Sequence, residues 1–181
     1  GGNGTHKTAN MLSEEGLNVI GLPKTIDNDI YGTDVTFGFH TAVDIGTEVI
    51  DRIHTTANSH SRIMVIEIMG NKAGWLTLYS GLAGGADIIL IPEIPFDIDK
   101  VTKACQRRAD AGKAFSILAV AEGAFDVEEA KLKKKERVKA RAERGEVTAT
   151  TRIAKTIEAK TGLETRTVVP GHFLRGGSPS A

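Results

Sequence analysis

Residues 23–29, PKTIDND, contain the side chains best suited to chemistry: a lysine, a threonine and two aspartates within seven positions. The mostly apolar residues 17–22 predict a short buried strand, which ends at the proline because proline cannot donate to a strand ladder. Ligands bind at the carboxyl ends of strands in α/β sheets. Asp27 and Asp29 repel each other, so one of them can have a raised pKa and act as a base. An ordinary polar turn has the same composition, and this stretch alone leaves both interpretations open.

These residues belong to a larger set of mostly polar residues that fall at predicted strand ends or helix starts. Arginine, lysine and histidine would attract an anion, whereas carboxylates suit sugar hydroxyls and proton removal. Together they indicate a phosphorylated sugar beside a phosphate donor, because phosphoryl transfer depends on positioning, charge neutralisation and a base near the attacking hydroxyl. The set is Gly4, Lys24, Thr25, Asp27, Asp29, Arg62, Met69, Asn71, Lys72, Glu93, Glu122, Arg166, His172 and Arg175.

The alternation of predicted elements indicates an α/β fold with a parallel sheet covered by helices on both faces. Strands are predicted at residues 17–22, 63–70, 87–92, 114–121 and 165–170. Helices are predicted at residues 8–15, 39–57, 73–83, 98–111 and 151–160. Glu67 lies inside an apolar strand, so its carboxylate needs a partner or a ligand.

The composition is that of an ordinary globular protein, with 40% hydrophobic and 25% charged residues. Lys+Arg and Asp+Glu both number 23, so the charge gives no indication of a nucleic-acid or membrane partner. Cys105 is the single cysteine, which excludes an internal disulfide and favours a reducing compartment such as the cytoplasm. No apolar run has the length of a membrane span.

Three segments have an unusual composition. The basic residues 127–146 predict a solvated helix or a mobile excursion, and a nucleic-acid role for them is disfavoured by the neutral total. The glycine-rich residues 1–5 would offer backbone N–H groups to an anion at a helix start, or form a plain turn. Because no strand precedes them and the chain stops after the glycine-rich residues 175–179, we expect an internal fragment of a longer protein.

Several motifs, in this order, resemble those of the phosphofructokinase family. The resemblance implies a three-layer αβα phosphofructokinase-like fold. It assigns residues 1–38 to part of the nucleotide domain, 39–174 to the fructose 6-phosphate domain with a basic helical insertion near 127–146, and 175–181 to a return towards the donor domain. The motifs are GGNGT at 1–5, PKTIDND at 23–29, GTD at 32–34, SHSRI at 59–63, EIMGNKAGW at 67–75, IPE at 91–93, AEG at 121–123 and PGHFLRGGSP at 170–179.

The resemblance also implies transfer of a phosphoryl group to the 1-hydroxyl of fructose 6-phosphate, a step of glycolysis. Asp27 would be the general base, supported by Asp29 and Thr25, and Mg²⁺ would be the cofactor, with Asn3 as a weak metal contact. Arg62 and Arg166 would serve the neighbouring subunit's site, which implies a homo-oligomer. The implied substrate contacts are Arg62, Met69, Gly70, Glu122, Arg166, His172 and Arg175, and the donor contacts are Gly2, Gly4, Thr5 and Lys24.

The sequence departs from the ATP-using pattern of the family at residues that bear on the phosphoryl donor. Members of the family that use pyrophosphate typically have an aspartate at the position of Gly4 and a lysine at the position of Lys24, so this chain resembles them only at Lys24. An aspartate would repel the α-phosphate of ATP, so the glycine favours ATP, with pyrophosphate as the alternative. Asn71 stands where an arginine often stabilises the transferred group, and Lys72 is the neighbouring cation that could replace it.

Two other classes of function remain as alternatives. A non-catalytic sugar-phosphate sensor would need the arginines but no base, and the retained Asp27 and Asp29 argue against it. An interaction module would depend on the basic residues 127–146. If the chain is a fragment, we expect the isolated piece to be inactive because part of the donor site is missing.

Overall fold

A four-stranded parallel sheet lies at the centre of the computed structural model, which describes all residues from 1 to 181. The strand order is β2-β3-β1-β4, so β3 and β1 are central. The strands are β1 (Ile63–Ile68), β2 (Ile88–Leu90), β3 (Ser116–Ala121) and β4 (Thr165–Val168). The helices are α1 (Asn3–Glu14), α2 (Phe39–His60), α3 (Trp75–Ala83), α4 (Ile98–Asp110), α5 (Lys134–Glu143) and α6 (Thr150–Thr161), with short 3-10 helices at Glu129–Lys131 and Gly171–Arg175.

Helices cover both faces of the sheet, which confirms the predicted α/β architecture. Every residue of β3 is buried, as are all but one of β1, because alternate side chains enter two different cores. One core joins Val65 and Leu118 of the sheet to α4 and α6. The other joins Ile66 and Ile117 to α2 and α3. None of the helices combines the length and the apolar character needed to cross a membrane.

The prediction of a strand at residues 17–22 is wrong. This segment forms no strand, and its apolar side chains are largely exposed, Ile20 at 90%. A strand needs a hydrogen-bonding neighbour, and the nearest ladder contact is a single bridge between Lys24 and Phe37. The preceding helix also begins earlier than predicted, so Asn3 and Gly4 lie in the first turn of α1 instead of in a loop.

Smaller boundary differences occur elsewhere. The strand predicted at 87–92 shortens to β2, and the helix predicted from residue 73 begins at Trp75. Asn71 and Lys72 therefore lie in a turn before α3, where Asn71 has a φ of 53°. Asparagine tolerates this left-handed conformation better than most residues, because its side chain can bond locally to the backbone.

The basic segment is partly solvated, as predicted, but it is anchored by an ion pair and is not a loose excursion. Arg141 of α5 donates to both carboxylate oxygens of Glu129 at 2.8 and 2.7 Å and to the Ala124 carbonyl at 2.8 Å. Both side chains are buried. Burial acts to raise the pKa of Glu129, but the hydrogen bond and charge of Arg141, together with Arg152, outweigh it and lower the pKa below 4.5.

Glu67 has the partner that its place in an apolar strand requires. Its Oε2 accepts hydrogen bonds from the hydroxyls of Thr148 at 2.7 Å and Thr150 at 2.5 Å. This contact ties the end of the basic segment to the centre of the sheet, because Glu67 belongs to β1.

Replacing Glu129 with alanine should destabilise the protein by about 3 kcal/mol, because it leaves the buried Arg141 guanidinium without its carboxylate. The measurement is the free energy of unfolding in urea. The matched control is Glu128→Ala, since Glu128 is exposed and pairs only with Lys131 at 2.6 Å. We expect that variant to lose less than about 1 kcal/mol. Equal losses in the two variants would contradict the anchoring role.

Candidate active site

A cleft of about 370 Å³ opens at the carboxyl edge of the sheet, beside the loop formed by residues 23–29. Met69 follows β1 and Glu122 follows β3, and both reach the cleft because parallel neighbours end at the same edge of the sheet. The lining residues are Gly2, Lys24, Thr25, Ile26, Asp27, Met69, Asn71, Glu122 and Arg175.

Thr36 holds the 23–29 loop in shape. Its backbone N–H donates to Asn28 Oδ1 at 2.8 Å, and its hydroxyl donates to the Thr25 carbonyl at 2.7 Å. Asn28 in turn donates to the Asp34 carbonyl at 3.3 Å and has a φ of 52°. The Asp27 N–H donates to Thr25 Oγ1 at 3.2 Å. The loop is therefore braced on both sides of Asp27.

Asp27 is half-buried, and its surroundings favour the protonated carboxyl group. Burial raises its pKa above the ordinary value of 3.8. The negative charges of Asp29 and Glu122 raise the pKa further, and the positive charge of Arg175 only partly opposes them. A carboxylate whose proton affinity is raised in this way is suited to take a proton from a hydroxyl group.

Glu122 fastens the ends of the two central strands together. Its Oε1 accepts the backbone N–H of Asn71 at 2.5 Å and that of Gly70 at 3.4 Å. The two turns also approach closely, since a Cβ added at Gly123 would lie 2.1 Å from the Asn71 carbonyl oxygen. The turn after β1 and the turn after β3 therefore form one unit, which places Glu122 in the cleft.

The amino terminus of α1 forms another side of this region. Gly2 lines the cleft and is the N-cap of α1. The Asn3 amide donates to Asp29 Oδ2 at 3.1 Å and to the Asp29 carbonyl at 3.3 Å. A Cβ added at Gly4 would meet no atom within 4 Å, so the space beside it is open. Thr5 lies in the first turn of α1 and does not line the cleft.

Several residues that the resemblance placed around the sugar phosphate lie outside the cleft lining. Gly70 is buried and meets the cleft only through its N–H bond to Glu122, and His172 is exposed in the 3-10 helix before Arg175. Arg62 and Arg166 contact the same carboxylate, Glu164, at 2.9 and 2.5 Å. Lys72 does not line the cleft that Asn71 lines, and its replacement of the missing arginine stays a prediction.

A resident metal centre has little support in these side chains, since no group of three or more His, Cys, Asp or Glu residues comes together. At the donor end, the Asn3 side chain meets Asp29 through its amide nitrogen, which donates to Asp29 Oδ2. Sequence reasoning identified most of the lining but missed Ile26 as a lining residue and the bracing by Asn28 and Thr36. The asparagine within the motif was the available signal, since asparagine often stabilises turns.

Comparison with known proteins decides the family. The family model described as Phosphofructokinase matches residues 1–181. The chain belongs to the phosphofructokinase family. It is 61% identical to the ATP-dependent 6-phosphofructokinase of Spirochaeta thermophila over 99% of this chain and 49% of that protein. It is 49% identical to the ATP-dependent 6-phosphofructokinase 3 of Bacteroides thetaiotaomicron over 99% of this chain and 48% of that protein.

Solved phosphofructokinases share the fold. The phosphofructokinase of Saccharomyces cerevisiae superposes with a TM-score of 0.74 at 36% identity, over 90% of this chain and 20% of that chain. This chain spans about half the length of the curated phosphofructokinases that it matches.

Substituting Asp27 with asparagine should stabilise the folded protein at neutral pH. An aspartate whose pKa is raised by folding costs stability once it ionises, so the cost is absent below pH 3.8, grows through the interval up to the folded pKa, and is constant above it. Melting temperatures should therefore be higher for Asp27→Asn than for the wild type at pH 7 and equal at pH 3.5. The exposed Asp51→Asn in α2 is the control, with little change expected at either pH. A less stable Asp27→Asn at pH 7 would contradict the raised pKa.

Proposed function

We propose that this protein transfers the γ-phosphoryl group of ATP to the 1-hydroxyl of fructose 6-phosphate, giving fructose 1,6-bisphosphate. The observation that carries the proposal is the half-buried Asp27, whose pKa is raised in a cleft that it shares with Glu122 and Arg175. The family assignment and the names of the two relatives, both ATP-dependent 6-phosphofructokinases, support the same reaction.

In the proposed mechanism, Asp27 accepts the proton of the sugar 1-hydroxyl while that oxygen attacks the γ-phosphorus. A new oxygen–phosphorus bond forms, the bond to the β–γ bridging oxygen breaks, and ADP leaves with the electron pair. Arg175 lines the cleft as a cation suited to the negative charge of the phosphoryl groups. Thr25 holds the Asp27 backbone, and Glu122 and Met69 line the sugar side.

The donor assignment to ATP depends on the first turn of α1. Gly4 leaves open space where a carboxylate would repel the α-phosphate. Lys24 lines the cleft and supports the alternative donor, pyrophosphate, since an extra cation suits a small, highly charged anion. An added cation does not exclude ATP, whereas a carboxylate would, so the open glycine supports ATP as the donor.

Mg²⁺ fits this site as an ion that arrives with the donor. Magnesium in phosphoryl-transfer enzymes is usually held by one or two protein oxygens together with phosphates and waters. Asn3 and Asp29 lie at the donor end, where the Asn3 amide N–H donates to Asp29 Oδ2 at 3.1 Å, and the Asp29 carboxylate would supply such a contact. When bound, the ion neutralises charge between the donor phosphates.

A homo-oligomer is part of the proposal, with Arg62 and Arg166 contributing to a neighbouring subunit's site. Both arginines lie outside the cleft of their own chain and meet at Glu164. Arg166 belongs to β4, the edge strand beside β1, where a neighbouring subunit has access. A phosphate from a neighbouring subunit's substrate would compete with Glu164 for the two guanidinium groups.

The Asp27→Asn variant should lose turnover by about 10²–10⁴-fold, the usual contribution of a general base. Fructose 6-phosphate binding should change little, because asparagine keeps the shape of the side chain. A coupled assay of the protein at its full natural length gives kcat, and isothermal titration gives the sugar affinity. Asp34→Asn is the control, since Asp34 is exposed and only its backbone carbonyl is used in the loop. Full turnover in Asp27→Asn would support a role without a base at this position.

Gly4→Asp should reduce kcat/KM for ATP about a hundredfold, because juxtaposed like charges cost several kcal/mol. The fold should tolerate the substitution, since the added Cβ meets no atom within 4 Å and an aspartate suits the first turn of a helix. Gly4→Ala is the matched control and should keep most of the ATP-dependent activity. An unchanged kcat/KM for ATP in Gly4→Asp would contradict the argument that a carboxylate at this position repels the α-phosphate, on which the assignment of ATP as the donor depends.

A further inference from the structure

A second pocket, of about 570 Å³, lies on the other side of the Asn71–Gly123 contact from the Asp27 cleft. One face of α5 forms a wall of it, because residues 134, 137, 138, 141 and 142 recur at helical spacing. Lys72 enters from the turn after β1, and Phe125 from the segment after β3. We refer to this space as the α5 pocket.

Three cations of the α5 pocket lack a carboxylate partner. Lys72, Lys134 and Arg137 have no acidic oxygen within 4.0 Å, although other cations of the segment are paired, Lys131 with Glu128 and Arg141 with Glu129. Arg137 lies over the Phe125 ring at 3.6 Å, and its buried Nε has no hydrogen-bond partner. An unpartnered buried donor is costly, so a ligand acceptor would be favoured there.

The two lysines are close enough to repel each other. The positive charge of Lys72 is the largest influence that lowers the pKa of Lys134, and desolvation lowers it further. The carboxylate on the pocket wall, Glu146, is already engaged by Arg144 at 3.1 Å and Arg152 at 3.3 Å. No acidic oxygen of this chain lies within 4.0 Å of either lysine, and an anion placed between them would offset their repulsion.

We propose that the α5 pocket binds a small organic phosphate, separately from the Asp27 cleft. Lys72, Lys134 and Arg137 would receive the phosphoryl oxygens through charge-assisted hydrogen bonds. Phe125, Val138 and Val147 would pack against the carbon skeleton of the ligand. The Asn71–Gly123 contact would link its occupancy to Glu122, because the Asn71 N–H is bound by that carboxylate. The inference is independent of the proposed reaction.

The test is calorimetric titration of the protein at its full natural length with phenyl phosphate, at fixed ionic strength. Wild type should show saturable binding, and Lys134→Gln should weaken it about tenfold, the contribution of one charge-assisted bond. Lys134→Arg should restore most of the affinity. Lys135→Gln is the matched control, since Lys135 is exposed on the same helix but does not line the pocket.

We expect the control variant to bind within about twofold of wild type, because charge at a distance is screened. Equal weakening in Lys134→Gln and Lys135→Gln would show attraction to the basic segment as a whole and would overturn the site. The absence of saturable binding in the wild type would overturn it as well. Melting temperatures of all three variants should match the wild type, since both lysines are exposed.

Discussion

The parallel pairing of β1 with β3 is the constraint on which the site depends. It aligns Ile68 with Ala121, so the residues that follow, Met69 and Glu122, emerge together at one edge of the sheet. Two cores, one on each face, fix this register, since a shift by one residue would move every side chain to the wrong face. Glu122 then bonds the turn after β1, and the Asp27 loop lies against both turns.

Charge is divided between the two sides of the Asn71–Gly123 contact. On the cleft side, burial and the negative charges of Asp29 and Glu122 raise the pKa of Asp27. On the other side, Lys72 and Lys134 repel each other. Both arrangements are unfavourable in isolation, and such groupings of like charge are common where a protein binds or transforms a charged ligand. The stability comes from elsewhere, from the two apolar cores that pack on the faces of the sheet.

The sequence predicted the elements whose apolar patterns are long, and it failed where burial depends on distant partners. The periodicity of α2 and the continuous apolar runs of β1 and β3 were sufficient to locate them. Residues 17–22 are also mostly apolar, but they form no strand and their apolar side chains are largely exposed. The buried state of Arg141 was also unpredictable, because its partner Glu129 lies in a segment that reads as uniformly solvated.

For the site, the motifs identified most of the cleft lining, including Asp27, Glu122, Met69 and Arg175. They could not show that Asn71 lines both the cleft and the α5 pocket whereas Lys72 lines only the α5 pocket, since that depends on the positive φ of Asn71 and on the turn before α3. The roles of Arg62, Arg166 and His172, which lie outside the cleft of this chain, stay predictions.

We propose that Asp27 acts as a base because its surroundings raise its proton affinity. The most direct measurement is the pKa of the Asp27 carboxyl group, from a carbon-13 NMR titration of selectively labelled protein, with Asp27→Asn used to assign the signal. The account predicts a pKa above 3.8 that falls when Glu122 is replaced by glutamine. A pKa at or below 3.8 that is insensitive to Glu122 would contradict it.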